Sequence, residues 1–291
     1  MELFRGTAPK VIFYLPTPDT TVTGATWAMD GVDSGTLVPS APVSGTVTVQ
    51  LPYLQYDGQV AINWSFSIPA SGTYTDRIYY DVVTPVLTKQ EVADIYSPET
   101  ITDAEYAKSE AAVRHIINAH CGQSFGKWIG TWSVSGDTSN SLSLPARLLQ
   151  VLNVNGETSD QYTIVGGGFN LRHYPYGVTE SIKADIGTQQ RSGVIYDPYS
   201  ISKQRYETSR TYSIYGIWGY NSVPATVKEA AKLLINDYAC EDAAYRDRYL
   251  TSMTAADWRI QFNAGAFIKT GNVRADQLLE PYVMERGWAV L

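Results

Sequence analysis

Apolar residues recur with two different periods along this chain, and the switch between them divides it. Residues 9–84 alternate with a period of two and carry no helical repeat. Val11-Ile12-Phe13-Tyr14-Leu15 is a short apolar strand closed by Pro16. Residues 45–51 alternate Val with Thr. Residues 60–68 place Val60, Ile62, Trp64, Phe66 and Ile68 on one side, and 77–83 form a last strand. Asp30-Gly31, Asp57-Gly58 and Ser71-Gly72 punctuate them as turns. Short strands at this spacing predict two packed sheets, a sandwich over residues 1–87.

The period changes after Pro85, which disfavours continuing the sheet. Thr88-Lys89-Gln90-Glu91 is a capping box, in which the hydroxyl takes the Glu91 amide and the carboxylate reaches back. The helix it opens stops at Ser97-Pro98. A second box, Thr102-Asp103-Ala104-Glu105, opens a longer helix to about His120, with Val113, Ile116, Ile117 and His120 on one face and Gly122 as its stop. Helices are therefore expected over 88–121.

Strands return over 125–220. Residues 127–132 and 141–144 flank a polar turn at Gly136-Asp137-Thr138. Residues 148–156 read as a strand ending in an Asn155-Gly156 turn, with 161–165 answering it across a hairpin. Gly166-Gly167-Gly168 permits a sharp bend; it lacks the Lys-Ser/Thr and the spacing of a phosphate loop. Residues 172–211 are read as strands joined by a long mobile loop, locally basic through Arg191, Lys203, Arg205 and Arg210. Those four suit either a solvated loop or contact with an acidic partner.

Pro224 marks the start of a second helical stretch, expected over 223–264. Val227, Ala230, Ala231, Leu234, Ile235, Tyr238 and Ala239 line one side, and a shorter helix-like piece spans 256–264. In the tail, 265–291, Leu278, Leu279 and Tyr282 are candidate docking residues. Trp288, Val290 and Leu291 make the terminus apolar, so it is expected to dock in its own core or into another protein.

Composition narrows the chemistry. The 291 residues are 44% hydrophobic and 18% charged, which fits packed cores in two domains, 1–87 and 88–291. Tyr outnumbers Phe by 21 to 7, a bias that suits half-exposed strands and surfaces buried on assembly. The net charge of −7 offers no basic excess for neutralising phosphates, so tight nucleic-acid binding is not expected. Cys121 and Cys240 form neither a disulfide framework nor a zinc pattern and read as small buried thiols. The start lacks the apolar core of a signal peptide, and no run of about 18 apolar residues predicts a membrane span.

Candidate reactive groups are few. His115 and His120 stand five apart, off the three-or-four spacing of metal pairs on a helix. His120-Cys121 are neighbours in sequence, which hinders a base–thiol hydrogen bond. No catalytic residue, metal ligand or cofactor is expected. Trp64 is a candidate sugar-stacking platform, but its place among inward-pointing residues makes it core. A carbohydrate-binding or host-envelope-binding protein is the alternative that the sandwich and the Tyr and Trp content leave open.

Two likenesses follow from these residues. The first segment, with a charge of 3 − 7 = −4 up to Leu87, resembles the immunoglobulin-like decorations of phage structural proteins. From Leu87 onward the layout resembles the head-to-tail connector, or adaptor, family of tailed phages. It carries a helix at 88–96, a longer one at 102–120, and a β insertion with Leu144-Pro145-Ala146-Arg147 leading to Val154-Asn155-Gly156. Tyr215-Gly216-Ile217-Trp218-Gly219-Tyr220 then feeds Val223-Pro224 and the long helix, followed by Gly271-Asn272, Leu278-Leu279 and Tyr282. The resemblance implies an α+β fold, with an Ig-like sandwich ahead of a helical adaptor core that carries a β-rich insertion (125–220). It implies a virion protein of the neck, at the head–tail interface, made in the host cytoplasm. The protein would form a ring, usually of twelve, beneath the portal, contact tail or neck components, and extend the channel through which genomic DNA passes without specific binding. The C-terminal segment would dock on the portal, and loops of the β region would receive tail proteins.

Overall fold

The computed structural model describes residues 2–69, 71–96, 101–136, 141–158, 162–173, 206, 210–239, 252–255, 258–261 and 270–284. The fold is mixed α and β and strand-rich, with sixteen strands and four α-helices among the described residues. They gather into two compact units, each discontinuous in sequence. One holds Ala8–Val82 and Lys127–Asn221; the other holds Glu2–Thr7, Val83–Gly126 and Ser222–Leu291. This grouping cuts the chain differently from the expected division at residue 87.

Strand β1 (Glu2–Phe4) belongs to the second unit. The first unit begins with β2 (Lys10–Tyr14), β3 (Thr21–Met29), β4 (Asp33–Leu37), β5 (Thr46–Gln50), β6 (Gly58–Ile68) and β7 (Gly72–Val83). They form a sheet in the order β7-β6-β3-β4 and a separate pair, β2-β5. Alternation drives both. Val11 and Phe13 of β2 and Val47 and Val49 of β5 point inward, as do Val60, Ile62, Trp64 and Phe66 of β6. The Phe13 ring stacks on Trp64 at 4.8 Å and lies 5.5 Å from Phe66, so the two sheets pack face to face. Trp64 is wholly buried and cannot stack on a sugar. Only Asp30-Gly31 signals β3 and β4 in the sequence. Gly24, Ala25 and Ala28 blur the alternation of β3, and a bulge between Val22 and Gly24 shifts its register against β6.

The same unit continues with β8 (Lys127–Ser135), β9 (Leu142–Ser143), β10 (Leu148–Val154), β11 (Glu157–Thr158), β12 (Tyr162–Val165), β13 (Asn170–His173) and β14 (Thr211–Gly219). One sheet runs β11-β10-β14-β8 and another β12-β13-β9. Asn155 and Gly156 both take positive φ, 52° and 88°, and close a two-residue hairpin in which Val154 faces Glu157. The strand answering β10 across that turn is β11, not 161–165. Residues 162–165 turn back through Gly166–Gly168, which adopt positive φ at every position, and pair with β13. The long apolar edge of β10 is taken instead by β14. Leu148, Val154, Leu171, Tyr206, Ile214 and Trp218 centre the core between these sheets. Within the unit, the Asp57 amide donates to the Lys127 carbonyl at 2.6 Å and the Tyr215 hydroxyl to the Gly31 carbonyl at 2.9 Å.

In the second unit both capping boxes close as expected. Thr88 N donates to Glu91 Oε2 at 2.8 Å and Glu91 N to Thr88 Oγ1 at 3.2 Å, opening α1 (Lys89–Tyr96). Thr102 and Glu105 repeat the exchange for α2 (Asp103–Cys121), which ends at Gly122 in the left-handed region with φ 68°. Helix α3 (Ala225–Ala239) starts after Pro224, whose carbonyl accepts from Lys228 N. Val227, Ala230, Ala231, Leu234 and Ile235 form its buried face, packed against α1, α2 and α4 (Val273–Leu279). The helical pattern expected to 264 is corrected: β15 (Ser252–Ala255) and β16 (Trp258–Gln261) pair as an antiparallel hairpin. Trp258 and Ile260 stand two apart, a spacing that shares one face of a strand and not one face of a helix. Residues 240–250 lie outside the described set.

Gly216 of β14 is where the middle sheet is tightest. A Cβ there would lie 2.6 Å from the Gln150 carbonyl oxygen and 2.7 Å from Leu148 Cδ1. Gly216→Ala is expected to cost about 1–3 kcal/mol by overpacking, read as a lowered midpoint in denaturant unfolding; an unchanged midpoint would show that β10 moves aside freely.

Candidate functional site

The tail residues expected to dock elsewhere are built into a clasp. Asn272 caps α4, its Oδ1 accepting from the Arg274 and Ala275 amides at 3.0 Å. Its Nδ2 donates to Asp237 Oδ2 of α3 at 2.8 Å. Asp276 Oδ1 accepts from Thr270 through both the amide, at 3.1 Å, and the hydroxyl, at 2.6 Å. His120 Nε2, at the end of α2, lies 3.8 Å from that same oxygen and has no hydrogen-bond partner among the described residues.

The far end of α4 is held equally. The Met284 amide donates to the Cys121 carbonyl at 2.9 Å, and Gln123 Nε2 to the Tyr282 carbonyl at 2.6 Å. The Tyr282 ring meets Phe125 edge-on at 5.5 Å, and its hydroxyl pairs with Thr226 Oγ1 at 2.9 Å. Leu279 is fully buried in this unit's core, and Leu278 and Tyr282 are half-buried. Leu279 therefore has no surface to offer a partner. Trp288, Val290 and Leu291 lie outside the described residues.

A second cluster escapes the reading of the sequence. Glu110 and Arg114 are buried on α2, with Arg114 Nε donating to Glu110 Oε2 at 3.1 Å. Arg114 Nη2 also reaches Glu2 Oε2 at 2.5 Å, and Glu110 Oε1 accepts the Val86 amide at 2.8 Å. Burial pushes the Glu110 carboxyl above its ordinary range, opposed by the Arg114 charge and the Val86 amide. Nearby, the Tyr106 hydroxyl donates to the Leu87 carbonyl at 2.9 Å, and its ring packs on Phe4 at 5.4 Å. The signal is present: Tyr106, Glu110, Val113, Arg114, Ile117 and Cys121 share one helical stripe, so the two charges fall where only buried residues stand.

Cys121 is not an activated nucleophile. Burial pushes the Cys121 thiol up to about 12, which keeps it protonated at neutral pH. Among the described residues no group of three or more His, Cys, Asp or Glu side chains is placed to hold a metal. No described helix is long and apolar enough to cross a membrane.

Of the basic group expected to face a partner, Arg210 is exposed; its guanidinium lies 5.4 Å from the Tyr212 ring centre, and its carbonyl accepts the Gly136 amide. Arg191, Lys203 and Arg205 lie outside the described residues. A tryptophan cluster, also unanticipated, marks the outer strand β8. Trp128 stacks on Trp218 at 5.6 Å, and the partly exposed Trp132 sits 5.8 Å from Trp128. The period-two positions 128 and 132 could have shown it.

No protein-family model matches the chain, and no curated protein does. Among solved structures, that of murine CRIg overlaps 28% of this chain and 88% of its own, at 16% identity and a TM-score of 0.23. An overlap that loose assigns neither fold nor partner.

Two outcomes are expected here. Arg114→Met leaves Glu110 buried and unpaired, and should cost about 3–5 kcal/mol at neutral pH. A carboxyl raised in the folded state stabilises below its unfolded range and loses that contribution as pH rises, so the deficit should shrink on acidification. Denaturant melts at several pH values check this, with Glu110→Gln added to Arg114→Met recovering much of the loss. Separately, peptide mapping after iodoacetamide at about pH 8 should find Cys121 unmodified in the folded chain and modified in urea.

Proposed function

We propose that this chain is a structural protein of a tailed-phage virion: an adaptor ring between portal and tail that extends the DNA channel. One observation carries the reading. Helices α1 and α2 precede a β region of 95 residues (127–221), yet they pack against α3, which follows it. A helical core interrupted by a β-rich insertion is the layout that the adaptor resemblance implies. An immunoglobulin-like character for the first sheets is part of the same proposal, supported by two face-packed sheets around Phe13 and Trp64.

The clasp supports it further. Residues 270–284 are pinned at both ends of α4. On this reading Trp288, Val290 and Leu291 meet the portal, aided by the outer parts of Leu278 and Tyr282. Arg210, with Arg191, Lys203 and Arg205, faces the tail or neck proteins. Shape, not reactive groups, carries the role, and the net charge of −7 lets DNA pass without adhering. The ring is expected to hold twelve copies. The alternative of carbohydrate or envelope binding loses its sugar platform with Trp64 in the core.

Negative-stain imaging and light scattering of the chain mixed with a portal protein from the same phage should show rings seated on portals. Truncation after Met284 should abolish seating on the portal. Particles made without the protein should be filled heads lacking tails. A chain that stays monomeric and ignores portal would refute the reading.

A further inference from the structure

We infer that strand β2 is a pairing edge through which two copies of this chain join by a two-fold antiparallel β contact centred on Ile12. Strand β2 has one neighbour, β5, in a two-stranded sheet. The register places Val11 opposite Val49 and Phe13 opposite Val47, while the Leu51 amide donates to the Pro9 carbonyl and the Leu15 amide to the Gly45 carbonyl. Residues 9, 11, 13 and 15 therefore bond inward to β5. By the alternation of an antiparallel ladder, the N–H and C=O groups of Lys10, Ile12 and Tyr14 point to the open edge. No described strand pairs there. The side chains of the same residues are exposed, Ile12 at 47% and Tyr14 at 73%. A row of unpaired backbone groups beside exposed apolar side chains is a template for another strand.

The occupant follows from how this edge is bounded. Beyond Tyr14 the next outward-facing position is Pro16, which has no amide hydrogen to donate. Beyond Lys10 it is Ala8, whose carbonyl already accepts from Gln50 Nε2. The usable window is 10–14, closed at both ends. Laid antiparallel on a copy of itself, that window has one register that uses every open group. Ile12 faces Ile12, and Lys10 faces Tyr14 at both ends.

That register places an ammonium against an aromatic ring twice and an apolar pair at the axis, with no like charges opposed. Its three hydrogen-bonded pairs make about six backbone hydrogen bonds, two each. A two-fold contact uses the same patch on both copies, as this one does. The inference is independent of the ring reading, since a two-fold pair does not by itself close a cyclic ring.

Light scattering of the full chain across a concentration series should show a monomer–dimer equilibrium. The double variant Ile12→Lys, Tyr14→Lys changes only exposed positions. It should weaken the dimer at least about tenfold while the thermal melt is kept, because it removes the apolar pair and sets like charges opposite one another. Register is read by cysteine cross-linking with a short bismaleimide. The Ile12→Cys variant should link to itself, since hydrogen-bonded pairs hold their Cα atoms about 5.5 Å apart. Lys10→Cys should link to Tyr14→Cys when the two are mixed, and neither to itself. A native chain that stays monomeric throughout, a double variant that pairs as tightly as the native chain, or a dimer in which the Ile12→Cys variant does not self-link would each overturn the inference. Ring assembly alone would give multimers without self-linking of the Ile12→Cys variant, so the two failures are told apart.

Discussion

The return of the chain after its long β region depends on the pairing of β8 with β14, both in the first unit. Lys127, where the β region begins, is the register partner of Gly219, where its last strand ends. Nine consecutive pairs join the two strands. Whatever the chain does between residues 136 and 210, it is returned to within one strand spacing of where it left. Closing a loop of that length would otherwise set an entropic cost that grows with its logarithm. Helix α2 ends just before this ladder in sequence and α3 begins just after it. The tightness at Gly216 belongs to the same constraint. It lets β10 approach β14 from the opposite side and locks the return strand between two neighbours.

With the return fixed, the helical unit has to secure its loose pieces. Residues 2–7 and 83–87 are far apart in sequence, and both are tied to α2. Arg114 reaches Glu2, Glu110 takes the Val86 amide, and Tyr106 holds the Leu87 carbonyl. Burying a charged pair is weakly stabilising at best, because desolvation offsets the attraction. Its value here lies in specificity. An apolar stripe at these positions would bury as much area, but it would not single out one backbone amide and one N-terminal carboxylate. Loss of either partner leaves the buried Glu110 carboxylate less well satisfied, which couples the segments it binds.

Local physics is the legible part of the sequence. Thr88 with Glu91 and Thr102 with Glu105 close as boxes, since a cap needs only residues three apart. The inward side of β6 and the buried face of α3 follow from period alone. Partner choice is not legible. Residues 162–165 look as able to answer β10 as β14 does, and the three glycines that turn them toward β13 constrain direction without naming a partner. The hairpin at 252–261 is a different case: Trp258 and Ile260 stand two apart, a strand spacing that a helical reading of 256–264 passes over. Leu279 reads as a docking residue because exposure cannot be seen in one sequence; an apolar residue near a chain end packs wherever the fold brings a neighbour. Glu110 and Arg114 are hidden by their charge, although their helical phase places them inside.

The clasp around α4 has a consequence for assembly on the proposed adaptor reading. A free chain end pays ordering entropy along its whole length when it binds. Here the ordering is largely done before any encounter: Asn272 is bonded to Asp237 at one end of α4, and Met284 to Cys121 at the other. Met284 itself is a point fixed to α2. A short apolar segment on a rigid base binds with less loss than a long one on a loose base, because fewer rotatable bonds are frozen. Repeated around a ring, many such weak attachments act together, and each raises the effective concentration of the next. The same argument accounts for a clasp made of hydrogen bonds and edge-on aromatic contact. These contacts fix geometry at a stated distance, whereas apolar burial alone is non-directional and would let the exit point slide.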